Sequence, residues 1–169
     1  MLNSISIAVC LLFTQSVKTP PKVETVRNAL SHRYKDIAKH MVKKDMDYIG
    51  SCLTGDFLFS DKIKYNKEEY LSNIVQLAFD VIHPCDKMQY LILSMKPNGN
   101  TVTVRVREIL EGYRTEKKKA QKSPFRMENT SQDIWVSVKG KWYLRRVQVL
   151  DWKYTDNGKV RLQGSNVKK

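Results

Sequence analysis

The pattern of apolar and polar residues predicts that the first half of the chain is mainly helical. Apolar side chains recur at three- and four-residue steps between Val23 and Met41, which places them on one face of a long helix. Lysines at positions 35, 39 and 43 fall on the opposite face. We interpret these lysines as a solvated stripe, since the polar face of an amphipathic helix normally looks like this.

Two shorter helices should follow the long one. Asp45 is placed to cap the second helix, which Gly55 can end. Residues 56–61 form a short strand in this prediction. Asn66, with a glutamate three residues later, makes a capping box that opens a third helix, and Pro84 stops it.

In the second half of the chain the period changes from helical to alternating. Residues 88–95 are strand-like and end at Asn98-Gly99, a hairpin turn signal. Residues 102–106 alternate valine with polar side chains, residues 134–138 alternate again, and residues 142–152 form a last long strand. The order predicts an α+β fold in which three helices pack on a mainly antiparallel sheet.

The N-terminal segment has the character of an export signal. Residues 1–16 carry no charged side chain and include an apolar run that is too short to span a bilayer. No basic residue precedes that run, so a non-native start or a disordered tail is the alternative. We expect a signal-like segment at 1–16, a linker at 17–22, one domain at 23–160 and a polar tail at 161–169. The protein would then be secreted or periplasmic.

The chain is strongly basic. Lysine and arginine number 30 against 17 acidic residues, a formal net charge of +13. Such a balance favours polyanions, but a nucleic-acid partner is disfavoured because no nucleic-acid-binding fold accompanies it and export points away from the cell interior. We interpret the densest basic stretch, between Tyr113 and Phe125, as a solvated loop. Its lysines are Lys117, Lys118, Lys119 and Lys122.

No cofactor or metal site is predicted. Cys52 and Cys85 could pair in an oxidising compartment or remain buried thiols. There is no Cys-x-x-Cys pair, Cys/His cluster, glycine-rich phosphate loop or nucleophile elbow. Asn129-Thr130-Ser131 matches a glycosylation sequon, which matters only in a eukaryotic secretory host.

Several short motifs, in their order and spacing, resemble the nuclear-transport-factor-2-like superfamily, which includes SnoaL-like cyclases and ketosteroid isomerases. The similarity spans about Val23 to Lys159 and is greatest to uncharacterised secreted members. It is carried by Tyr34, Ala38 and Lys44-Asp45 around the first two helices, by Gly55-Asp56-Phe57, by Asp133-Ile134-Trp135 and by Gly140-Lys141-Trp142.

The resemblance implies a cone, in which helices close one end of a curved sheet and leave a pocket on its concave side. Tyr34, Tyr90, Trp135 and Trp142 would line that pocket, which could hold a small apolar or amphipathic ligand. Pairing through the outer face of the sheet is common in the superfamily, so a homodimer is also implied.

Proton-transfer chemistry in such a cone needs an inward carboxylate or histidine. Asp133 is the best strand carboxylate and Asp56 the next, and Tyr34 could approach Asp133 from the helix. The alternative, which we weigh more heavily, is that Asp133 pairs with Arg105 or Arg146 across strands.

The sequence leans toward a non-catalytic function. We expect an exported module that binds a small ligand or a protein. A cofactor-free isomerase, cyclase or lyase using Asp133 or Asp56 is the alternative, and a basic surface protein that binds anionic polymers is the second alternative.

Overall fold

A computed structural model describes residues 23–76, 85–115 and 122–167 of the chain. The predicted signal segment and linker, Lys117–Lys119 and the region of Pro84 lie outside these residues. Lys122 begins a strand, and its side chain is not described. The helices are α1 (Val23–Val42), α2 (Met46–Ser51) and α3, which starts as an α-helical turn at Lys67–Glu69 and continues as a π-helix at Tyr70–Val75; the strands are β1 (Leu53–Ser60), β2 (Lys64–Asn66), β3 (Cys85–Asn98), β4 (Thr101–Thr115), β5 (Lys122–Val138), β6 (Lys141–Asp156) and β7 (Lys159–Ser165).

Side-chain caps start the two shorter helices where the sequence predicts. The Asp45 carboxylate accepts a hydrogen bond from the Tyr48 N–H, and Asn66 and Glu69 form a reciprocal capping box. The prediction that Gly55 ends α2 is wrong. The helix ends earlier because the Cys52 carbonyl already accepts a hydrogen bond from Leu144 of β6, so that Gly55 lies inside β1.

The strands form one seven-stranded sheet in the order β2-β1-β6-β5-β4-β3, with β7 paired to β6. All pairs are antiparallel except the parallel pair of β1 with β6. The first residues of the expected polar tail belong to β7, because main-chain pairing to an edge needs no apolar side chains. Close packing there requires Gly164, since a Cβ at this position would lie 2.8 Å from the Trp152 ring.

The core lies between α1 and the concave face of the curved sheet. Leu30 and Tyr34 of α1 are buried against the inward valines of β4 and against Trp135, which is fully buried. The predicted α+β class, with helices packed on a strongly curved and mainly antiparallel sheet, is confirmed. This packing leaves a space between the helices and the sheet.

Across the described residues, none of the helices combines the length and apolar character needed to cross a membrane.

Candidate functional site in the cone

A cavity of about 130 Å³ lies between the helices and the concave face of the sheet. Its wall is mostly aromatic and aliphatic, with rings from α1, α3, β1 and β3 and thioethers from several elements. Two carboxyl side chains interrupt this apolar wall, Glu108 of β4 and Asp133 of β5. An apolar cavity with a few convergent polar groups is the usual form of a small-molecule site.

Asp133 is held by a closed hydrogen-bond network. The Tyr34 hydroxyl donates to its Oδ2 at 2.7 Å, and the Ser131 hydroxyl donates to its Oδ1 at 2.7 Å. The Trp135 Nε1–H in turn donates to the Tyr34 oxygen at 2.8 Å. Each oxygen of Asp133 therefore has a donor, and the Tyr34 side chain is fixed from two sides.

The cross-strand pairing of Asp133 with an arginine, which the sequence analysis weighed more heavily, is wrong. Asp133 lies opposite Val104 on β4 and Val147 on β6. Arg105 and Arg146 are each one position away from those partners and are exposed. Because side chains alternate between the faces of a strand, both arginines point away from the cone that holds Asp133.

Glu108 is the functional candidate that the sequence analysis missed. It lies opposite Tyr90 on β3 and opposite Asn129 on β5, so the three side chains form one row on the concave face. Among the described residues, its carboxyl group has no hydrogen-bond or ion-pair partner. If the alternation of inward valines at 102, 104 and 106 is extended by one step to position 108, it predicts that Glu108 also faces the cone.

Two phenol groups in the cavity also have unused hydrogen-bonding capacity. Tyr70 of α3 and Tyr90 of β3 both line the cavity, and the described part of the chain offers neither hydroxyl a partner. Tyr90 packs on Tyr34 with ring centroids 5.0 Å apart, and Tyr70 packs on Phe59 at the same separation. Both hydroxyl groups are available to donate to a ligand.

Burial sets the protonation of the two carboxyl groups. Burial, and then the charge of Asp133, raise the pKa of Glu108 to about 7. Burial also raises the pKa of Asp133 to about 6, against the opposing effect of the hydrogen bonds from Tyr34 and Ser131. At neutral pH, Asp133 is therefore mostly ionised and Glu108 is close to half protonated, which suits a group that both takes and returns a proton.

The tyrosines of the site remain protonated over the same range. Burial is the main cause that raises the pKa of Tyr34, Tyr70 and Tyr90, and nearby carboxylates raise it further. These side chains are therefore neutral hydrogen-bond donors at any pH at which the protein would work.

Some of the other predicted site residues lie away from the cavity. Asp56 is exposed on β1 and forms an ion pair with Arg145, with 2.7 Å between its Oδ2 and Nη2. Tyr34 and Tyr90 line the cavity, whereas Trp135 and Trp142 do not. Trp135 is buried in the core, where its ring meets Tyr34 edge to face, and Trp142 packs on the border of that core.

The structure also shows the surroundings of three other groups, Cys52, Asn129 of the sequon and His40. Cys52 is a buried free thiol, so it does not form the bridge considered with Cys85. Asn129 of the sequon lines the cavity, where a glycan has no room. His40 is bonded to Asp45 and stacked on Tyr48 at the end of α1. In the described ranges, no group of three or more His, Cys, Asp or Glu side chains could hold a metal ion.

Comparison with solved structures identifies the fold. A candidate scytalone dehydratase from Novosphingobium aromaticivorans aligns with a TM-score of 0.59 at 10% identity, over 86% of this chain and 91% of its own. A nuclear transport factor 2 superfamily protein from Salmonella enterica aligns with a TM-score of 0.57 at 11% identity, over 76% and 92%. This chain has the nuclear-transport-factor-2-like fold.

A cystatin-like protein of unknown function from Nostoc punctiforme also aligns, with a TM-score of 0.56 at 13% identity, over 73% of this chain and 88% of its own. No family model and no curated protein matches the sequence. At these identities the likeness concerns the nuclear-transport-factor-2-like fold alone, and the same scaffold supports unrelated activities. Function therefore has to be argued from the cavity.

Proposed function

We propose that this protein binds a small carbonyl compound in its cone and transfers a proton on it without a cofactor, as an isomerase or a lyase. The observation that carries this proposal is Glu108, a carboxyl group in an apolar cavity that has no hydrogen-bond or ion-pair partner among the described residues. A general base works best when its pKa is close to the operating pH, and the pKa of Glu108 is about 7. Asp133, the candidate that the sequence offered, is a less suitable base because both of its oxygens already accept hydrogen bonds.

The proposed step uses Glu108 and the two free phenols. The Glu108 carboxylate takes a proton from a carbon next to the carbonyl group. The C–H electron pair moves into a new C=C bond, and the carbonyl oxygen becomes an enolate oxygen. A hydroxyl of Tyr70 or Tyr90 donates a hydrogen bond to that oxygen, where negative charge develops. Glu108 then returns the proton to another carbon in an isomerase, or to a departing group in a lyase.

Exchange of the α-protons of cyclohexanone for deuterium in D₂O, followed by proton NMR, tests this step. We expect the wild-type protein to accelerate exchange, and Glu108→Gln to reduce that acceleration at least about 100-fold. Of Tyr90→Phe and Tyr70→Phe, the variant that removes the donor to the enolate oxygen should reduce it by about tenfold or more.

Matched controls are an exposed glutamate on α3 and an exposed tyrosine on β4. Glu68→Gln and Tyr113→Phe should leave exchange unchanged. Exchange at the buffer rate with the wild-type protein, or an equal rate with Glu108→Gln, would contradict the proposal.

The second candidate function is the non-catalytic ligand-binding module that the sequence favoured. The closed network of Tyr34, Ser131, Asp133 and Trp135 supports it, because a fully satisfied buried network is also a common way to fix a core. Binding of cyclohexanone without proton exchange would favour this candidate. Export and a homodimer through the sheet stay predictions under either function.

A further inference from the structure

The size of the cavity limits the ligand to a small molecule. Its volume is about 130 Å³. An engineered cavity of about 150 Å³ with an apolar wall binds benzene, so a molecule of six or seven non-hydrogen atoms is the right scale. The aromatic and thioether side chains around this volume favour a compact, mainly apolar ligand.

The charge of the cavity wall limits the ligand further. Two carboxyl side chains, Glu108 and Asp133, face the cavity, and the described residues that line it include no lysine, arginine or histidine. Three arginines of β4 and β6 that are next in sequence to inward positions, Arg105, Arg107 and Arg146, are exposed. The described wall of the cone is therefore acidic, although the protein as a whole is basic.

A negatively charged ligand would meet two acidic groups in a low dielectric, and the described residues of the wall offer it no counter-ion. Removal of the anion from water would also cost free energy that the wall does not offset, since the remaining polar groups of the described wall are hydroxyls and an amide. A neutral carbonyl group, in contrast, needs only one hydrogen-bond donor, which Tyr70 or Tyr90 can supply.

We infer that the natural ligand of the cone is an uncharged carbonyl compound of about six or seven non-hydrogen atoms, and that the site discriminates against carboxylates and phosphates. This inference rests on the proposed function for the role of the site, but the ligand class can be tested by binding alone. A net charge of +13 would suggest an anionic ligand. The described wall of the cavity, however, has two carboxyl groups and no basic side chain, so we expect the cavity to disfavour anions.

Cyclobutanecarboxamide and cyclobutanecarboxylate are matched probes, because they have nearly the same shape and differ in charge. Their binding to the full chain can be measured by NMR titration, with amide shifts in β4 and β5 reporting on the site. We expect the carboxamide to bind at least about tenfold more tightly than the carboxylate at pH 8. In Glu108→Gln that ratio should fall several-fold, whereas Glu68→Gln should keep it.

The outcomes separate the ligand class from the catalytic proposal. Equal or tighter binding of the carboxylate, no binding of the carboxamide, or a ratio unaffected by Glu108→Gln would overturn the ligand class. Selective binding of the carboxamide together with a failure to exchange the protons of cyclohexanone would support the ligand class and contradict the catalytic proposal. Exchange of cyclohexanone protons together with tight binding of the carboxylate would support the catalytic proposal and contradict the ligand class.

Discussion

At the scale of residues, the two carboxyl groups of the cone differ in their partners. Asp133 accepts hydrogen bonds from Tyr34 and Ser131, whereas Glu108 lies between Tyr90 and Asn129 in the strand register without a bond to either. Both are buried among apolar side chains, and burial is the main cause of the raised pKa in each. The hydrogen bonds keep Asp133 the more acidic of the two, so the pair divides into a fixed anion and a group that titrates near neutrality.

Removal of the Tyr34 hydroxyl should weaken the fold. Tyr34→Phe leaves Asp133 with one donor fewer and the Trp135 Nε1–H without its acceptor, which should cost about 1–3 kcal/mol in the free energy of unfolding. The pKa of Asp133 should rise further, because a hydrogen bond that lowers it is lost. Urea unfolding at pH 7 measures the first effect. Tyr113→Phe, at an exposed site, is the control, and equal stability of the two variants would contradict the assigned network.

At the scale of elements, two-residue turns set the register of β6 against β5 and of β7 against β6. Lys139-Gly140 joins β5 to β6 with φ values of 50° and 80°, and Asn157-Gly158 joins β6 to β7 with 49° and 75°. Two successive positive φ angles are typical of a type I′ turn, which prefers Asn-Gly. The first of these hairpins therefore has a lysine in a conformation that lysine disfavours.

A reciprocal pair of substitutions tests this reading of the turns. Lys139→Asn should raise the free energy of unfolding by about 0.5–1 kcal/mol, because asparagine tolerates the left-handed conformation. Asn157→Lys should lower it by a similar amount, in the turn that already has the preferred residues. Thermal unfolding of both variants is the measurement. A change in the same direction for both would show that something other than backbone conformation, such as charge, dominates.

At the scale of the whole molecule, the carboxyl groups of the cone and those of the surface make opposite contributions to the pH dependence of stability. Hydrogen bonds are the leading cause that lowers the pKa of surface carboxyl groups such as Asp56 and Glu128, and the charges of the neighbouring arginines lower it further. Groups of that kind stabilise the folded state above a pH of about 4 and lose this contribution in acid. Glu108 and Asp133 act in the other direction, because each binds its proton more tightly in the folded state than in the unfolded chain.

Stability should therefore fall as the pH rises from about 5 to about 8. The pKa of Glu108 rises from 4.5 to about 7 on folding and that of Asp133 from 3.8 to about 6, so the folded protein retains protons that the unfolded chain has released. The loss should be on the order of 4 kcal/mol for the coupled pair. Urea unfolding across this range measures it.

The variant Glu108→Gln separates the contribution of the cone from that of the surface. It should remove a large part of the decline between pH 5 and pH 8, so that it is more stable than the wild-type protein at pH 8. Glu68→Gln should follow the wild-type curve. A wild-type stability that stays flat or increases over this range would contradict the raised pKa values.

The sequence by itself determined the fold. Alternation in β4 and β5, the side-chain caps of α2 and α3 and the glycine turns are local features whose physical effect acts within a few residues. Their order was enough to predict helices on a mainly antiparallel sheet, and the resemblance to the nuclear-transport-factor-2-like superfamily implied that the sheet is curved. Helical spacing also placed Tyr34 on the inward face of α1, and the structure brings its hydroxyl within 2.7 Å of the Asp133 carboxylate.

Tertiary structure decided what the cone contains. Register determines whether Asp133 meets an arginine or a valine, and a shift by one residue would exchange the two. The position of Trp135 behind the cavity, the pairing of the polar β7 and the absence of a partner for Glu108 in the described residues depend on contacts between distant segments. Such contacts are set by the packing of the whole chain, and the local sequence does not encode them.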